Sequence, residues 1–419
     1  MPDPAPISRR SIGIAAFSTV VEWYDFTLYL YLSTVLSRVF YGGGAGSLTA
    51  TLAGFALSYV MRPIGALVFG HIGDRYGRRR MMLLPMAIMT AAMLAIGLLP
   101  TAAQIGPAAG SLLLALRCIM AFSVGGEYTG VVAYLLEGAP RGRRGLITSS
   151  ASAASEVGGL LAVGISALTT SMMSVETLDD WGWRVPFLVG AAMAGAVLLA
   201  RSSMEESPEF ERQQANGTVP ANPLRHGLTH YRPAILRGFA ISALGSITYY
   251  VGIAYVPAFL TSAGAMAERD ALWLSTLAAL VVILVTPVVG WLTDRRGRKP
   301  VLVVLAGAGI VLPMTMFLLM AGSGLAGALL GAVVMAGIGG AVSAVGAVAT
   351  AEQFPGEARL SGLAFGATTA TALFGGLTPW LSQILIERTG WPMVPGAMIA
   401  LVALCALPVM LRMPETRPR

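Results

Sequence analysis

The chain has 419 residues, 55% of them hydrophobic and only 12% charged, with a formal net charge of +7 at pH 7. A composition this apolar excludes a water-exposed globule, and the length excludes a single simple membrane anchor. The basic excess does not describe a nucleic-acid surface, because the arginines cluster in short segments between apolar runs, as in the cytoplasmic loops of membrane proteins.

A spanning helix needs about 20 mostly apolar residues, and the bilayer admits only helices or closed barrels. Continuous runs argue for helices; a barrel would show short alternating segments. Twelve helices are expected near 11–39, 47–70, 81–99, 108–137, 145–172, 183–201, 233–262, 270–293, 300–320, 323–353, 357–386 and 391–412. The first is expected to be retained, since it is much longer than a signal-peptide core and has no small-residue cleavage site nearby. The polar stretch 202–232 reads as a cytoplasmic linker between a 1–201 half and a 233–419 half. An even number of spans puts both termini on one side. Arg9, Arg10, the clusters 75–80 and 141–144, Arg295 to Lys299 and Arg412 to Arg419 mark that side as cytoplasmic, and the membrane as the inner membrane of a cell.

Charges inside the apolar runs are the informative residues, because an ionised group near the bilayer centre costs about 2.5–3.5 kcal/mol and usually marks an ion, proton or substrate path. Glu22 and Asp25 lie three apart on the first helix, with Tyr29 one turn on, so they form one polar stripe suited to reversible protonation. The alternative is that they only tie the first helix to an arginine of a neighbour. Arg62 precedes Pro63 about two turns from the end of the second helix, where it is expected to snorkel or support a kink. Arg117 and Glu127 share the fourth helix about 15 Å apart, so each needs another partner. For Arg117 two choices stand open, an anionic substrate group or a first-helix acid. For Glu127, which follows Gly125 and Gly126, they are proton coupling or a structural ion pair. Glu156, ahead of Gly158 and Gly159, is a candidate substrate contact. The later spans offer no interior charge. They carry Tyr249, Tyr250 and Tyr255, whose faces would suit a cationic group or serve as ordinary packing.

Several chemistries find no support. Lys299, the only lysine, is followed by Pro300, so no phosphate-cradling G-x-x-x-x-G-K-[ST] loop exists. Cys118 and Cys405 fall in different apolar runs and read as packing residues, and His71, His226 and His230 fall in expected loops or at a span end. No nucleophile–base or metal constellation stands out, so neither an enzyme nor a cofactor or metal site is expected.

The halves repeat each other. GHIGDRYGRRR (70–80) returns as GWLTDRRGRKP (290–300), aligning Asp74, Arg75 and Arg78 with Asp294, Arg295 and Arg298. Glu137, Pro140 and Arg144 align with Glu352, Pro355 and Arg359 at almost the same offset. Parallel repeats of this kind place a substrate site near the midplane between the halves. The six loop residues are expected to fix loops and to hold one face shut in turn.

The 70–79 loop resembles the G-x-L-x-D-R-x-G-R-[RK] signature of the major facilitator superfamily. EWYDF (22–26), MRPIGA (61–66), GGEYTG (125–130), WGWRVPF (181–187), EESPEF (205–210), LTDRRGRKP (292–300) and FGGLTP (374–379) resemble the metabolite:proton symporter branch. That resemblance covers essentially the whole chain. It implies an all-α integral membrane fold of twelve helices in two pseudo-symmetric six-helix halves. The implied function is a proton-driven importer of a small carboxylate-bearing metabolite, either a proline/betaine-type osmolyte or a citrate-type organic acid. Glu22, Asp25 and Glu127 would handle protons, while Arg117, Tyr29, Tyr249, Tyr250, Tyr255 and Glu156 would contact substrate. Arg62 and the two Asp-Arg-Arg sets would act structurally or as gates. The alternatives are a proton/substrate antiporter and a non-transporting receptor. The expected partners are the substrate, protons and the bilayer, with a monomer sufficient.

Overall fold

The computed structural model describes residues 8–44, 46–218, 228–263, 266, 268–322 and 324–417; His226 of the linker lies outside them. Eleven helices among these residues are long and apolar enough to cross a membrane. They are α2 (Ala50–Tyr76), α3 (Arg78–Gly97), α4 (Ala108–Gly138), α5 (Arg144–Met172), α6 (Val175–Arg201), α7 (Arg232–Ala254), α8 (Trp273–Arg296), α9 (Arg298–Gly322), α10 (Gly324–Ala351), α11 (Arg359–Thr389) and α12 (Val394–Arg412). The twelfth is α1 (Arg9–Tyr31), continued after a break at Leu32 by Ser33–Tyr41. Its hydropathy is diluted by the Glu22–Asp25 stripe, the same feature that marks it as functional. No strand occurs among the described residues.

Helices α1 to α6 pack chiefly on one another, as in the pairs α1/α5, α3/α6 and α3/α4, and α7 to α12 do likewise. The two sets meet along α5/α8, α5/α10 and α2/α11. Small residues set how close the helices come. A Cβ on Gly158 of α5 would stand 2.2 Å from the carbonyl oxygen of Val20, and one on Gly125 of α4 would stand 2.1 Å from that of Arg62. Both contacts press a charged segment against a neighbouring backbone.

Several features differ from expectation. The 71–80 loop is almost absent: α2 runs to Tyr76 and α3 begins at Arg78, because Gly77 turns the chain at φ +108°. The sixth helix starts earlier, at Val175, through a π-turn over Leu178–Gly182 that lowers the local apolar periodicity. The linker contains a short helix, Pro208–Ala215, capped by the Ser207 hydroxyl. Further π-turns interrupt α7 at Tyr250–Ala254 and α11 at Ala364–Thr368 and Ala372–Gly376.

A central cavity between the two helix sets

Between the two sets lies a cavity that offers about 140 Å³ to water-sized groups. Glu22 and Trp23 of α1, Arg62 of α2, Tyr128 of α4 and Tyr249 and Tyr250 of α7 face it. Serine and threonine hydroxyls complete the wall, among them Ser246, Ser343 and Thr368. Four buried polar atoms on this wall have no hydrogen-bond partner: Glu22 Oε2, Trp23 Nε1, Arg62 Nε and Thr350 Oγ1. Leaving such groups unpaired costs about 1–3 kcal/mol each, so they are places for a ligand or water to bind.

Arg62 does not snorkel. It is 8% exposed, with its guanidinium carbon 4.9 Å from the Phe26 ring centroid and 4.6 Å from that of Tyr59. The close contact at Gly125 and the two rings hold it toward the cavity rather than toward the membrane surface. The same rings belong to a cluster in which Trp23 meets Tyr249 edge-on at 4.9 Å and the hydroxyls of Tyr59 and Tyr250 lie 2.6 Å apart.

The expected polar stripe on α1 is split between two environments. Glu22 faces the cavity, while Asp25 accepts a hydrogen bond of 3.2 Å from Arg117 Nη1 and forms a buried ion pair with it. Of the two choices left open for Arg117, the structure selects the first-helix acid. Tyr29 lies under that guanidinium at 4.6 Å and donates to the Thr51 carbonyl, so neither Arg117 nor Tyr29 is among the residues lining the cavity. A step of three residues turns a helix by about 60° short of a full turn, which suffices to separate Glu22 from Asp25 when two different helices abut α1.

Glu127 is paired with Arg201, which also donates to Ser18 and, over 2.6 Å, to the Met82 carbonyl. Arg201 is fully buried, although the sequence places it at the end of a span beside polar residues and so hid its role. Tyr255 stands outside the cavity and donates to Gln383 Oε1 at 2.5 Å; as a substrate contact it is corrected. Tyr249 and Tyr250 do line the cavity. Glu156 lines a second, smaller cavity, with Tyr249 forming the wall between the two.

At the face that carries the repeated loops, Asp74 of α2 accepts from the Ser361 N–H at 2.9 Å and the Ser361 hydroxyl at 2.8 Å, at the start of α11. Asp294 of α8 accepts from the N–H groups of Gly145 and Leu146 at 2.9 Å, at the start of α5. Each aspartate therefore caps a helix in the opposite set, where the exposed N–H groups favour an anion. Arg78 pairs with Asp74 and Glu137, Arg359 pairs with Glu137, and Arg298 pairs with Asp294 and Glu352. Arg75 and Arg295 instead lie over the rings of Tyr76 and Trp291. His71 sits inside α2 rather than in a loop.

Two carboxylates missed in the sequence complete this face. Glu206 Oε1 accepts from the Arg78 N–H at 2.8 Å, and Glu415 accepts from the Arg298 and Lys299 N–H groups at 2.9 and 3.0 Å. The signal was present as M-x-E at 204–206 and 413–415, one short motif after each last span of a set.

Residues 12–218 match the family model described as "Sugar (and other) transporter", and residues 265–419 match "Major Facilitator Superfamily". An ectoine/proline transporter of Corynebacterium glutamicum is 34% identical over 97% of this chain and 84% of that protein. A proline/betaine transporter of Escherichia coli is 30% identical over 98% of this chain and 84% of its own length. A citrate-proton symporter of Klebsiella pneumoniae is 30% identical over 92% and 87%. The solved structure of the proton:xylose symporter XylE bound to 6-bromo-6-deoxy-D-glucose superposes with a TM-score of 0.81 at 19% identity, covering 97% of this chain and 96% of that one.

Proposed function

The chain belongs to the major facilitator superfamily, in its metabolite:proton symporter branch, and from that premise we propose that it imports a small carboxylate-bearing metabolite together with protons. One observation carries the proposal: a buried carboxyl oxygen without a partner, Glu22 Oε2, faces the same cavity as an arginine whose Nε is also unpartnered. Arg62 and the Trp23 indole N–H supply donors for a substrate carboxylate, a planar grip for which a guanidinium is well shaped. Glu22 supplies the acceptor for a proton. Once a substrate carboxylate takes up Arg62, protonation of Glu22 removes the negative charge left over, which otherwise opposes moving the cavity across the low-dielectric interior.

Reorientation is a rocking of residues 1–201 against 233–419 around this site, with the Asp74 and Asp294 helix caps opening and re-forming at the cytoplasmic face. The basic loops support a reading with both termini at that face of a cell's inner membrane. One chain holds the whole cavity, so a monomer suffices for transport. For substrate, the aromatic wall suits an osmolyte of the proline/betaine kind, whereas the arginine alone would also serve a citrate-like acid.

The test is uptake of glycine betaine, proline and citrate into proteoliposomes with and without an imposed pH gradient. Accumulation that follows the gradient supports symport. Accumulation indifferent to it rules symport out.

A further inference from the structure

A second cavity with about 20 Å³ of room lies where α1 and α5 meet α7, α8 and α10. That is space for a single water molecule, and too little for a metabolite. Glu156 of α5 is buried at 4% exposure and lines it together with Thr27 and Tyr31 of α1, Tyr249 of α7 and Ser275 of α8.

Among the described ion pairs none includes Glu156, in contrast to Asp25 with Arg117 and Glu127 with Arg201. Among the described residues the titratable groups that face it are tyrosines: Tyr31 from α1, Tyr128 from α4 and Tyr249 from α7. The group presented by α8 is the hydroxyl of Ser275, whose buried oxygen has no partner, and α10 presents Ala332. A carboxylate shut into such surroundings has no cation to balance it, so its charge is best met by a proton. The cavity is also walled by both helix sets, so any relative movement of the sets reshapes it. On the α7 side its wall is the π-turn Tyr250–Ala254, a local unwinding of a kind frequent at functional sites.

We propose that Glu156 is a second protonation site of the carrier, distinct from Glu22, which takes a proton from water in the side cavity and returns it to water in each cycle. It rests on the symport reading for its role in transport, but the site itself is testable without any solute. The step is a simple protonation: the carboxylate gains a proton from the medium on one side of the membrane and the carboxylic acid gives it up on the other. Tyr249, which walls both cavities, keeps the two carboxyl groups apart while coupling their surroundings.

The test is infrared difference spectroscopy of the purified full-length protein between alkaline and acid pH, with no solute added. Two carbonyl bands of buried carboxylic acids are expected to grow on acidification. Glu22→Gln should delete one and Glu156→Gln the other. Should Glu156→Gln not fold, Ser275→Ala and Tyr249→Phe replace it, and each should move the titration midpoint of the second band. A single band, removed by Glu22→Gln and indifferent to changes at Glu156, Ser275 and Tyr249, overturns the assignment even if uptake follows a pH gradient. Two bands together with gradient-independent uptake would leave the site standing and defeat symport instead.

Discussion

Arg201, at the last position of α6, reaches back into the bundle to pair with Glu127, where α4 resumes after a turn at Gly125 and Gly126, and both side chains are removed from solvent. A buried pair of this kind stabilises little against an apolar replacement, yet losing one partner strands a charge at a cost of about 3–5 kcal/mol. Arg201→Leu alone should therefore lower the thermal unfolding temperature sharply, and Arg201→Leu with Glu127→Leu should recover most of it. Unfolding in detergent, followed by fluorescence, measures both. Equal losses in the single and double variants would show that the pair is not the unit.

Glu22 is the cavity carboxylate proposed to couple solute to proton, and its Oε2 has no partner. Counting the Glu22 proton alone, one per solute, a one-unit pH gradient sustains about tenfold accumulation, and a second proton through Glu156 raises that to about a hundredfold. Glu22→Gln should cut accumulation above equilibrium about tenfold per pH unit while leaving solute exchange across the membrane intact. Counterflow and net uptake measured on the same vesicles separate the two. Undiminished net accumulation by Glu22→Gln would remove it from the coupling step.

Arg62 holds its position through two aromatic faces and presents donors to the cavity. Lysine keeps the charge and loses the planar fork and much of the stacking, a difference of about 1–2 kcal/mol. Arg62→Lys should raise the KM for the transported solute about tenfold with the maximal rate less affected. An unchanged KM would place the carboxylate grip elsewhere.

Glu206 and Glu415 occupy equivalent places under the two repeated loops, but their carboxyls are displaced in opposite directions. Half-buried Glu206 is pushed above its ordinary 4.5 by desolvation, against the N–H groups of Ser207, Arg79 and Arg78. Exposed Glu415 feels some desolvation too, but the N–H groups of Arg298, Arg417 and Lys299 and the Arg298 guanidinium outweigh it and hold the carboxyl below 4.5. A depressed carboxyl stabilises the fold above its unfolded value and loses that effect as pH falls through the folded one. A raised carboxyl does the reverse, with stability lost as pH rises through the folded value. Glu415→Gln should therefore destabilise at neutral pH, with the gap to the parent closing below about pH 4. For Glu206→Gln the variant should gain on the parent as pH rises. Unfolding temperatures across pH check both signs, and parallel curves for the two variants would refute the contrast.

Apolar runs located twelve spans, with ends off by up to about eight residues where a glycine or a π-turn intervenes, because burial in lipid demands long apolar runs, and the GHIGDRYGRRR/GWLTDRRGRKP echo carried the repeat of the loops. It also marked Glu22, Asp25, Arg62, Arg117, Glu127 and Glu156 as anomalous, since a charge in an apolar run is visible without coordinates. Partnership was not visible. Whether Asp25 meets Arg117 while Glu22 faces a cavity depends on how α1 is rotated between its neighbours, and an angle of about 60° decides it. Arg201 lies 74 positions from Glu127, and its place at a span end made it resemble an ordinary loop charge. Tyr250 and Tyr255 sit in one short run, yet the π-turn between them sends one to the cavity and the other to Gln383. The sequence by itself determined which groups would be costly to bury; only the packing of α1 against α4, α5 and α7 decided which of them are neutralised by arginine and which stay unpaired, because ion pairing acts over a few ångströms while the apolar pattern constrains each helix only along its own axis.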